Sequence, residues 1–501
     1  MRLPRASIFV VPICALLILL SLMPFQLRTI DVRASMDEML AYHVEYKEFT
    51  PMLAKRSLKI YLEQFDGEKV YLLSNEAKPY LDPSDRQLKS VVQAYQKDDL
   101  SEWRALNQVV QGAIMRGRAL RAQIAQQLAS SKEAPKMVSI EGYADYASSE
   151  QELASRIRNI YTRILLAEMR NAPTKEWTAE RKQKVFALWE KRFNRVENSY
   201  LAIDPKGAKV SPQMLEHYLA MHSLKAMAKC LDAHTSYFSP DEAMEMRTSL
   251  EKQFEGIGVV LREGIDGVVI QGLVRGGPAE KSGKIAPGDL IVDINGESMS
   301  NATYEDILKK LQGERGGSIQ LGLMRSDTGD KTTFHTVVLR RERIIMEDER
   351  VRYTFEPYAD GIIGKLILPS FYESADGAGC EEDMRQALRA LKQKGNLLGL
   401  VLDMRDNSGG FLNQAVKVAG LFISSGVIVV SKYSQGEVQY LRDLDGRCYY
   451  NGPLVILTSK ASASAAEIVA QALQDYGTAL VVGDDRTYGK GTIQYQTVTD
   501  T

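Results

Sequence analysis

Leu454-Val455-Ile456-Leu457-Thr458-Ser459-Lys460-Ala461-Ser462-Ala463-Ser464-Ala465-Ala466-Glu467 passes from an apolar strand, through small and polar residues, into a helix. The apolar run bounded by turn formers fits a buried strand, and Ile468, Val469, Ala472 and Leu473 then recur at helical spacing. Ser464 with Glu467 makes an S-x-x-E capping box, so the simplest duty of that serine is to cap the helix 465–475. A serine at a strand-to-helix junction also stands where backbone N–H groups and the helix dipole favour a developing oxyanion. The residues alone leave nucleophile and cap equally open.

The same alternation extends on both sides of this stretch. Strands are expected at 361–369, 397–403, 427–431, 454–457 and 479–482, with helices at 379–392, 412–423 and 465–475, which predicts an α/β layer fold with a largely parallel sheet over 344–501. Upstream of the charged connector Arg340-Arg341-Glu342-Arg343 lie short β-rich runs divided by glycine, at 254–261, 267–274, 289–294, 318–324 and 334–339. Two helical pieces, 278–282 and 303–311, complete a compact β module over 250–343. From 35 to 245 the period is helical: Thr50-Pro51 caps a helix whose Leu53, Leu58, Tyr61 and Phe65 share a face before Asp66-Gly67 stops it. Residues 87–128 contain no proline and suit long packed helices, a scaffold or a wall around a substrate. The expectation is a multidomain α+β chain: an all-helical N-terminal domain, a β module and an α/β core.

Composition excludes more than it names. With 501 residues the chain exceeds one ordinary core. Lys+Arg number 63 against Asp+Glu 64, so neither a basic surface for nucleic acid nor an acidic excess is present. Cys14, Cys230, Cys380 and Cys448 are far apart, with no C-x-x-C and no H-E-x-x-H, so no metal site, disulfide framework or cofactor is expected. Cys230 and Cys448 are read as buried small residues. Arg2 and Arg5 before the apolar run 7–25, then small residues at Ala34 and Ser35, read as an export leader over 1–34. The run also approaches the length of a membrane anchor, which would associate the chain with an inner membrane.

Two further segments carry chemistry. In Tyr488-Gly489-Lys490-Gly491-Thr492-Ile493-Gln494 an extended chain places Lys490, Thr492 and Gln494 on one side. A lysine acts as a base only when desolvated, so Lys490 is expected to be buried, with Gln494 orienting it without adding charge. By itself it reads as a surface lysine in a glycine turn. Leu402-Asp403-Met404-Arg405-Asp406-Asn407-Ser408-Gly409-Gly410 offers N–H groups to an anion, or is an ordinary turn capped by Asn407 or Ser408. In the β module, Gly256-Ile257-Gly258-Val259 beside a strand edge suits capture of a chain's terminal carboxylate, although glycine there also marks a mere bulge.

These residues together resemble a known family. The β module is similar to a PDZ domain through Gly256-Ile257-Gly258-Val259, Gly277-Pro278-Ala279 and Gly288-Asp289-Leu290-Ile291-Val292-Asp293-Ile294-Asn295-Gly296. Leu402-Asp403-x-Arg405-x-Asn407-x-Gly409-Gly410, Ser462-Ala463-Ser464-Ala465-x-Glu467 with Gln474-Asp475, and Thr487-x-Gly489-Lys490-Gly491-Thr492-x-Gln494 resemble the carboxyl-terminal processing peptidases, or tail-specific proteases. Asp232-Ala233-His234-Thr235-Ser236-Tyr237 and Tyr61-Leu62-Glu63-Gln64-Phe65-Asp66 look like their long periplasmic bacterial branch.

The resemblance implies a crotonase-like peptidase core in which Ser464 is the nucleophile, Lys490 the general base and Gln494 its orienting partner. It implies Gly409 or Gly410 with the Ala465 amide as oxyanion donors, and Asp475, Arg405 and Asn407 as supporting residues. The PDZ loop would select exported polypeptides with apolar C-terminal tails. Two departures stand out: Ala466 replaces a serine usual in the family, and the stretch at Asp484-Asp485-Arg486 is one residue longer. Family members continue beyond the lysine segment, so the core is expected to be incomplete at Thr501. All five histidines, His43, His217, His222, His234 and His335, precede the peptidase-like segment, so a Ser/His/Asp triad would have to borrow across domains. His234 is expected to make a structural hydrogen bond. The competing readings are a noncatalytic PDZ adaptor on a peptidase-like fold and, less favoured, acyl-CoA chemistry.

Overall fold

A computed structural model describes residues 26–133, 135–136, 142–171, 176–300, 302–326 and 332–498. The leader or anchor run at 7–25, with Cys14, lies outside the described residues, as does Thr501. Among the described residues no helix is long and apolar enough to cross a membrane. The chain forms two compact units, Met1–Tyr237 with Tyr495–Thr501, and Phe238–Gln494.

The described part of the first unit is helical: α1 (Thr29–Tyr42), α2 (Pro51–Asp66), α3 (Ser74–Leu81), α4 (Asp85–Tyr95), α5 (Ser101–Ser130), α6 (Glu150–Asn171), α7 (Ala179–Leu201) and α8 (Pro212–Lys229). The Thr50 hydroxyl accepts the Leu53 N–H, the expected cap. Leu53, Leu58, Tyr61 and Phe65 are buried on one face of α2, packed in a core with Trp103 and Leu106 of α5. The Asp66 carboxylate ends α2 by accepting the N–H groups of Val70, Tyr71 and Leu72. The long packed helices expected over 87–128 are two, α4 and α5, parted by a turn that the sequence reading did not place. Asp98 adopts φ 59°, and the N–H groups of Lys97, Asp98 and Asp99 return to the carbonyls of Ala94 and Tyr95, closing α4 as a left-handed cap does. Asp232 accepts the N–H groups of His234 and Thr235 and lies 3.0 Å from Nε2 of buried His43, so His234 enters this turn through its backbone.

The second unit opens with α9 (Pro240–Glu251), then β1 (Gln253–Gly256), β2 (Val259–Gly264), β3 (Gly267–Leu273), α10 (Pro278–Ser282), β4 (Leu290–Ile294), β5 (Glu297–Ser298), α11 (Tyr304–Leu311), β6 (Ser318–Ser326), β7 (Thr332–Arg340) and β8 (Glu342–Ile345). The strand expected over 254–261 is broken at Ile257-Gly258, where Gly258 takes φ 76° and β1 leaves to pair with β8. The main sheet runs β2-β3-β4-β6-β7, which leaves β2 at its edge. Buried Asp289 is held by a bidentate Arg325 and the Ala286 N–H, fixing the turn before β4.

The remainder contains β9 (Arg352–Tyr358), β10 (Gly361–Ile367), α12 (Cys380–Lys394), β11 (Leu397–Asp403), α13 (Leu412–Gly420), β12 (Val429–Lys432), β13 (Val438–Leu441), β14 (Leu454–Thr458), α14 (Ala465–Asp475) and β15 (Ala479–Gly483). Its sheet order is β15-β14-β11-β10-β9, parallel from β10 to β15, with β9 antiparallel at the edge. Leu366, Leu400, Leu402, Leu454 and Ile456 pack with Met384, Leu388, Ala419, Val469 and Leu473 of the helices. This arrangement brings the ends of β11 and β14 side by side, with Asp403 opposite Leu457. The candidate site grows from those ends, as it does in open parallel sheets generally. Cys448, expected to be buried, is exposed as a residue because its loop has no regular structure, although its thiol faces the carbonyls of Phe422 and Tyr450.

Candidate active site

The turn after β14 is shaped by small residues that let two loops interlock. Ser462 is fully buried, donates to the Met404 carbonyl at 2.7 Å and accepts the Ser459 N–H, while the Ser459 hydroxyl bonds the Arg405 carbonyl. The Ala463 N–H closes on the Asn407 carbonyl at 3.0 Å. Buried Asn407 in turn donates to the Leu368 carbonyl and accepts the Gly409 N–H at 2.8 Å. Asp403 and Arg405 are further back: the guanidinium folds onto the carboxylate, which Lys365 also meets at 3.0 Å. The bond from Arg405 holds the Asp403 carboxyl well below its ordinary range against the opposing effect of burial, with Lys365 adding to it.

Ser464 sits at the head of α14 with φ 54° and ψ −116°, a conformation rarely adopted by a residue with a side chain. The expected capping box forms on its acid side, where Glu467 accepts the Ser464 N–H at 2.7 Å. The Ser464 hydroxyl makes no cap bond to the helix, so it is released from that duty. Gly409 (φ 105°) faces it so closely that a Cβ there would stand 2.8 Å from Ser464 Cβ and 3.3 Å from the Ala465 nitrogen. The N–H of Gly409 is engaged by Asn407, which directs attention to the neighbouring amides of Gly410 and Ala465. Gly410 (φ 143°) pairs with Phe371, and a Cβ on it would meet the Phe371 carbonyl oxygen at 2.2 Å.

Lys490, Thr492 and Gln494 do share one side. Lys490 Nζ donates to Gln494 Oε1 at 2.6 Å, and Gln494 Nε2 donates to Thr492 Oγ1 at 3.2 Å. Lys490 is half-buried rather than buried, because the residues after it, 491–498, are exposed and carry no regular structure. Its ammonium is directed at Gln494, and its backbone is drawn toward the serine loop: the Tyr488 N–H meets the Ser462 carbonyl and the Lys490 N–H meets Glu467 Oε2 at 2.9 Å. Asp475 lies apart, at the far end of α14, where Gln471 bonds it. The 11 residues of that helix put it roughly 16 Å along the axis from Ser464. The stretch 484–486 lies at the surface, where Asp484 accepts the Lys460 N–H and Asp485 pairs with the Lys460 ammonium. Ala466 is fully buried in the core of the unit.

What sequence reading missed is how much converges on Glu467. Besides Ser464 and Lys490, it accepts the Thr487 hydroxyl and the Gly489 N–H, each at 2.6 Å. Burial pushes its carboxyl up, but the bonds from Thr487, Gly489, Ser464 and Lys490 outweigh that and leave it below the usual glutamate range. Among the described residues no cluster of His, Cys, Asp and Glu could hold a metal.

The peptide-binding candidates form a turn between β1 and β2. Ile257 is buried, its carbonyl accepts the Ala279 N–H, and the Gly258 carbonyl accepts the Val274 N–H. A Cβ on Gly258 would lie 3.2 Å from both Gly277 Cα and Ile344 Cδ1, so this turn requires glycine for space as well as for its positive φ.

One substitution tests the interlock directly. Gly409→Ala should lower the reactivity of the Ser464 hydroxyl on the order of 10²-fold, because the added carbon displaces that residue. The rate of covalent labelling of folded variant protein by a serine-directed reagent would measure it, and an unchanged rate would mean that this contact has no bearing on reactivity.

Comparisons with known proteins match three successive stretches of the chain. Residues 362–500 match the family model for peptidase family S41, residues 35–241 that for the tail specific protease N-terminal domain, and residues 247–324 that for the PDZ domain. The tail-specific protease of Haemophilus influenzae is 35% identical over 276 residues, 54% of this chain and 38% of that protein. The carboxy-terminal-processing protease of Bartonella bacilliformis is 31% identical over 306 residues, 60% of this chain and 64% of that one. The chain thus spans less than two thirds of the length of these relatives. A solved PDZ domain of a carboxy-terminal protease from Vibrio cholerae, in complex with peptide, is 29% identical, covering 18% of this chain and 97% of that chain with a TM-score of 0.17.

Proposed function

We propose that this chain, which carries in order a tail-specific protease N-terminal domain, a PDZ domain and a family S41 peptidase domain, is the working part of a serine endopeptidase that uses Ser464 and Lys490 as a dyad on exported polypeptides chosen by their C-terminal tails. The observation that carries the reading is the strained Ser464 at the head of α14, its hydroxyl free of cap duty and its neighbour Gly409 pressed against it. Backbone strain of this sort persists where the surroundings over-determine it, and it concentrates at reactive residues.

In the proposed reaction Ser464 Oγ attacks the scissile carbonyl carbon while its proton passes to Lys490 Nζ. The carbonyl oxygen becomes an oxyanion, bonded by the amides of Gly410 and Ala465. Collapse expels the amine, which takes the proton from Lys490, and water then hydrolyses the acyl-enzyme with the same lysine as base. Gln494 holds the lysine by an uncharged hydrogen bond. Lys490 must turn from Gln494 toward Ser464 for the first step, and catalytic bonds of this sort commonly tighten only when substrate is bound. Arg405 and Asn407 support the loop, and Asp475 supports α14 from its distal end. For residues 1–34 the proposal keeps the export reading, with the periplasm as the site of action and an anchor at 7–25 as its membrane-bound form.

Tail selection is assigned to Gly256, Ile257, Gly258 and Val259. Edge strand β2 accepts the extended tail as an added strand, and the glycine turn receives its carboxylate. An unfolded reporter ending in apolar residues with a free carboxylate should be bound and cleaved by the full-length protein. The same reporter with an amidated tail should bind at least roughly tenfold more weakly, since a charge-assisted contact is lost. Equal binding of both in a fluorescence titration would remove the tail-binding assignment. Binding without cleavage would favour the noncatalytic adaptor.

A further inference from the structure

A dyad built from two separate segments works only if something holds those segments in register. Ser464 begins a helix, whereas Lys490 belongs to residues 484–498, which have no regular secondary structure of their own to fix them. Between the two stands a single carboxylate. Glu467 Oε2 accepts the N–H of Ser464 at 2.7 Å and that of Lys490 at 2.9 Å, so one oxygen atom touches the backbone of both residues. Glu467 Oε1 accepts the hydroxyl of Thr487 and the N–H of Gly489, each at 2.6 Å. A helix cap would need only the first of these bonds.

On the dyad reading above, we infer that Glu467 is a positioning residue: its ionised carboxylate clamps the base-bearing segment 487–490 to the nucleophile turn and thereby sets the approach of Lys490 to Ser464. The four donors explain why the residue must be an acid with two acceptor oxygens. A glutamine offers one acceptor oxygen, and its amide N–H₂ would confront two donors on the other side. An aspartate retains both oxygens but is one methylene shorter, about 1.5 Å, so it reaches one segment and not both. Ionisation is favoured by the same bonds, which keep the carboxyl below its usual range despite burial. Thr487 belongs to the same clamp, since the bond its hydroxyl donates ends on this carboxylate.

The test uses the full-length protein, with wild type, Glu467→Gln, Glu467→Asp, Thr487→Val and the Glu467→Gln/Thr487→Val double variant. Glu467→Gln should lower kcat about 10²-fold with KM little changed, the cost expected for misplacing a reacting group by around an ångström. Thr487→Val should lower kcat less, and the double variant should be no slower than Glu467→Gln, because both changes act through one carboxylate. Amide hydrogen exchange supplies a readout independent of turnover: in Glu467→Gln the Gly489 and Lys490 amides should exchange faster while those of Ala472 and Leu473, deeper in α14, stay protected. A role confined to capping would instead loosen the first turn of α14, leave the 487–490 amides unchanged and lower activity only in proportion to lost folded protein. That pattern, or strictly additive losses in the double variant, overturns the inference. If wild type turns over no better than Ser464→Ala while the 487–490 amides still loosen in Glu467→Gln, the clamp stands and the dyad reading falls.

Discussion

Ser464→Ala and Lys490→Ala should each slow cleavage of an unfolded, apolar-tailed substrate by about 10⁴-fold or more, with the fold intact. On the proposed dyad the serine oxygen forms the covalent bond and the lysine accepts its proton, so either loss removes the covalent route. What would then remain is the stabilisation that the proposal assigns to the Gly410 and Ala465 amides, acting on any attacking water. Residues acting as one unit give non-additive losses, so the double variant should be no slower than either single one. Lys490→Arg makes the sharper discrimination: a guanidinium retains the charge and reach but does not deprotonate in proteins, so it too should be inactive. A structural lysine paired with Gln494 would tolerate arginine. Thermal unfolding of each variant guards against misreading a folding defect.

The second large effect concerns the helical unit. Glu197 has a side chain 1% exposed and accepts from Arg121 Nη2 at 2.7 Å, Arg118 Nε at 2.6 Å and the Tyr71 hydroxyl at 2.8 Å. Arg121, at 4% exposure, also meets Glu190 at 2.7 Å, and the Tyr161 hydroxyl bonds Glu190 as well. Glu197→Ala should lower the unfolding free energy by about 3–5 kcal/mol, because it leaves buried positive charge short of a partner. Denaturant titration followed by circular dichroism measures this as a fall in midpoint with little change in slope. Replacing the pair together, Arg121→Met with Glu197→Leu, should recover much of the loss, since apolar packing avoids the desolvation that the ions incur. A loss below about 1 kcal/mol for Glu197→Ala would mean that the cluster behaves like a surface ion pair.

The parts of the fold that were legible are those where local chemistry and tertiary packing agree. Strand 397–403 and helix 465–475 were located to the residue, because each has an apolar pattern bounded by polar or small residues that have no place in the interior. Strand β9 escaped because all seven of its residues are exposed, so burial imposes no alternation on its sequence. The break between α4 and α5 escaped because it uses neither proline nor glycine: an aspartate in the left-handed region performs the turn. At the site, Ser464, Lys490, Gln494 and the glycine pair could be named from motifs. Their roles came from resemblance, since spacing alone reads equally as a cap and a glycine turn. The burial expected of Lys490 was not found, because its desolvation depends on what covers the segment rather than on its own neighbours in sequence. Glu467 was visible only as a cap, because three of its four donors lie twenty or more residues away.

The most direct test of the central claim is to treat the full-length protein with a fluorophosphonate and locate the adduct by peptide mass spectrometry. The dyad reading predicts a single phosphonylated residue, Ser464, whose labelling is lost in Lys490→Ala. An adduct on another serine, or equal labelling of Ser464 without Lys490, would contradict it.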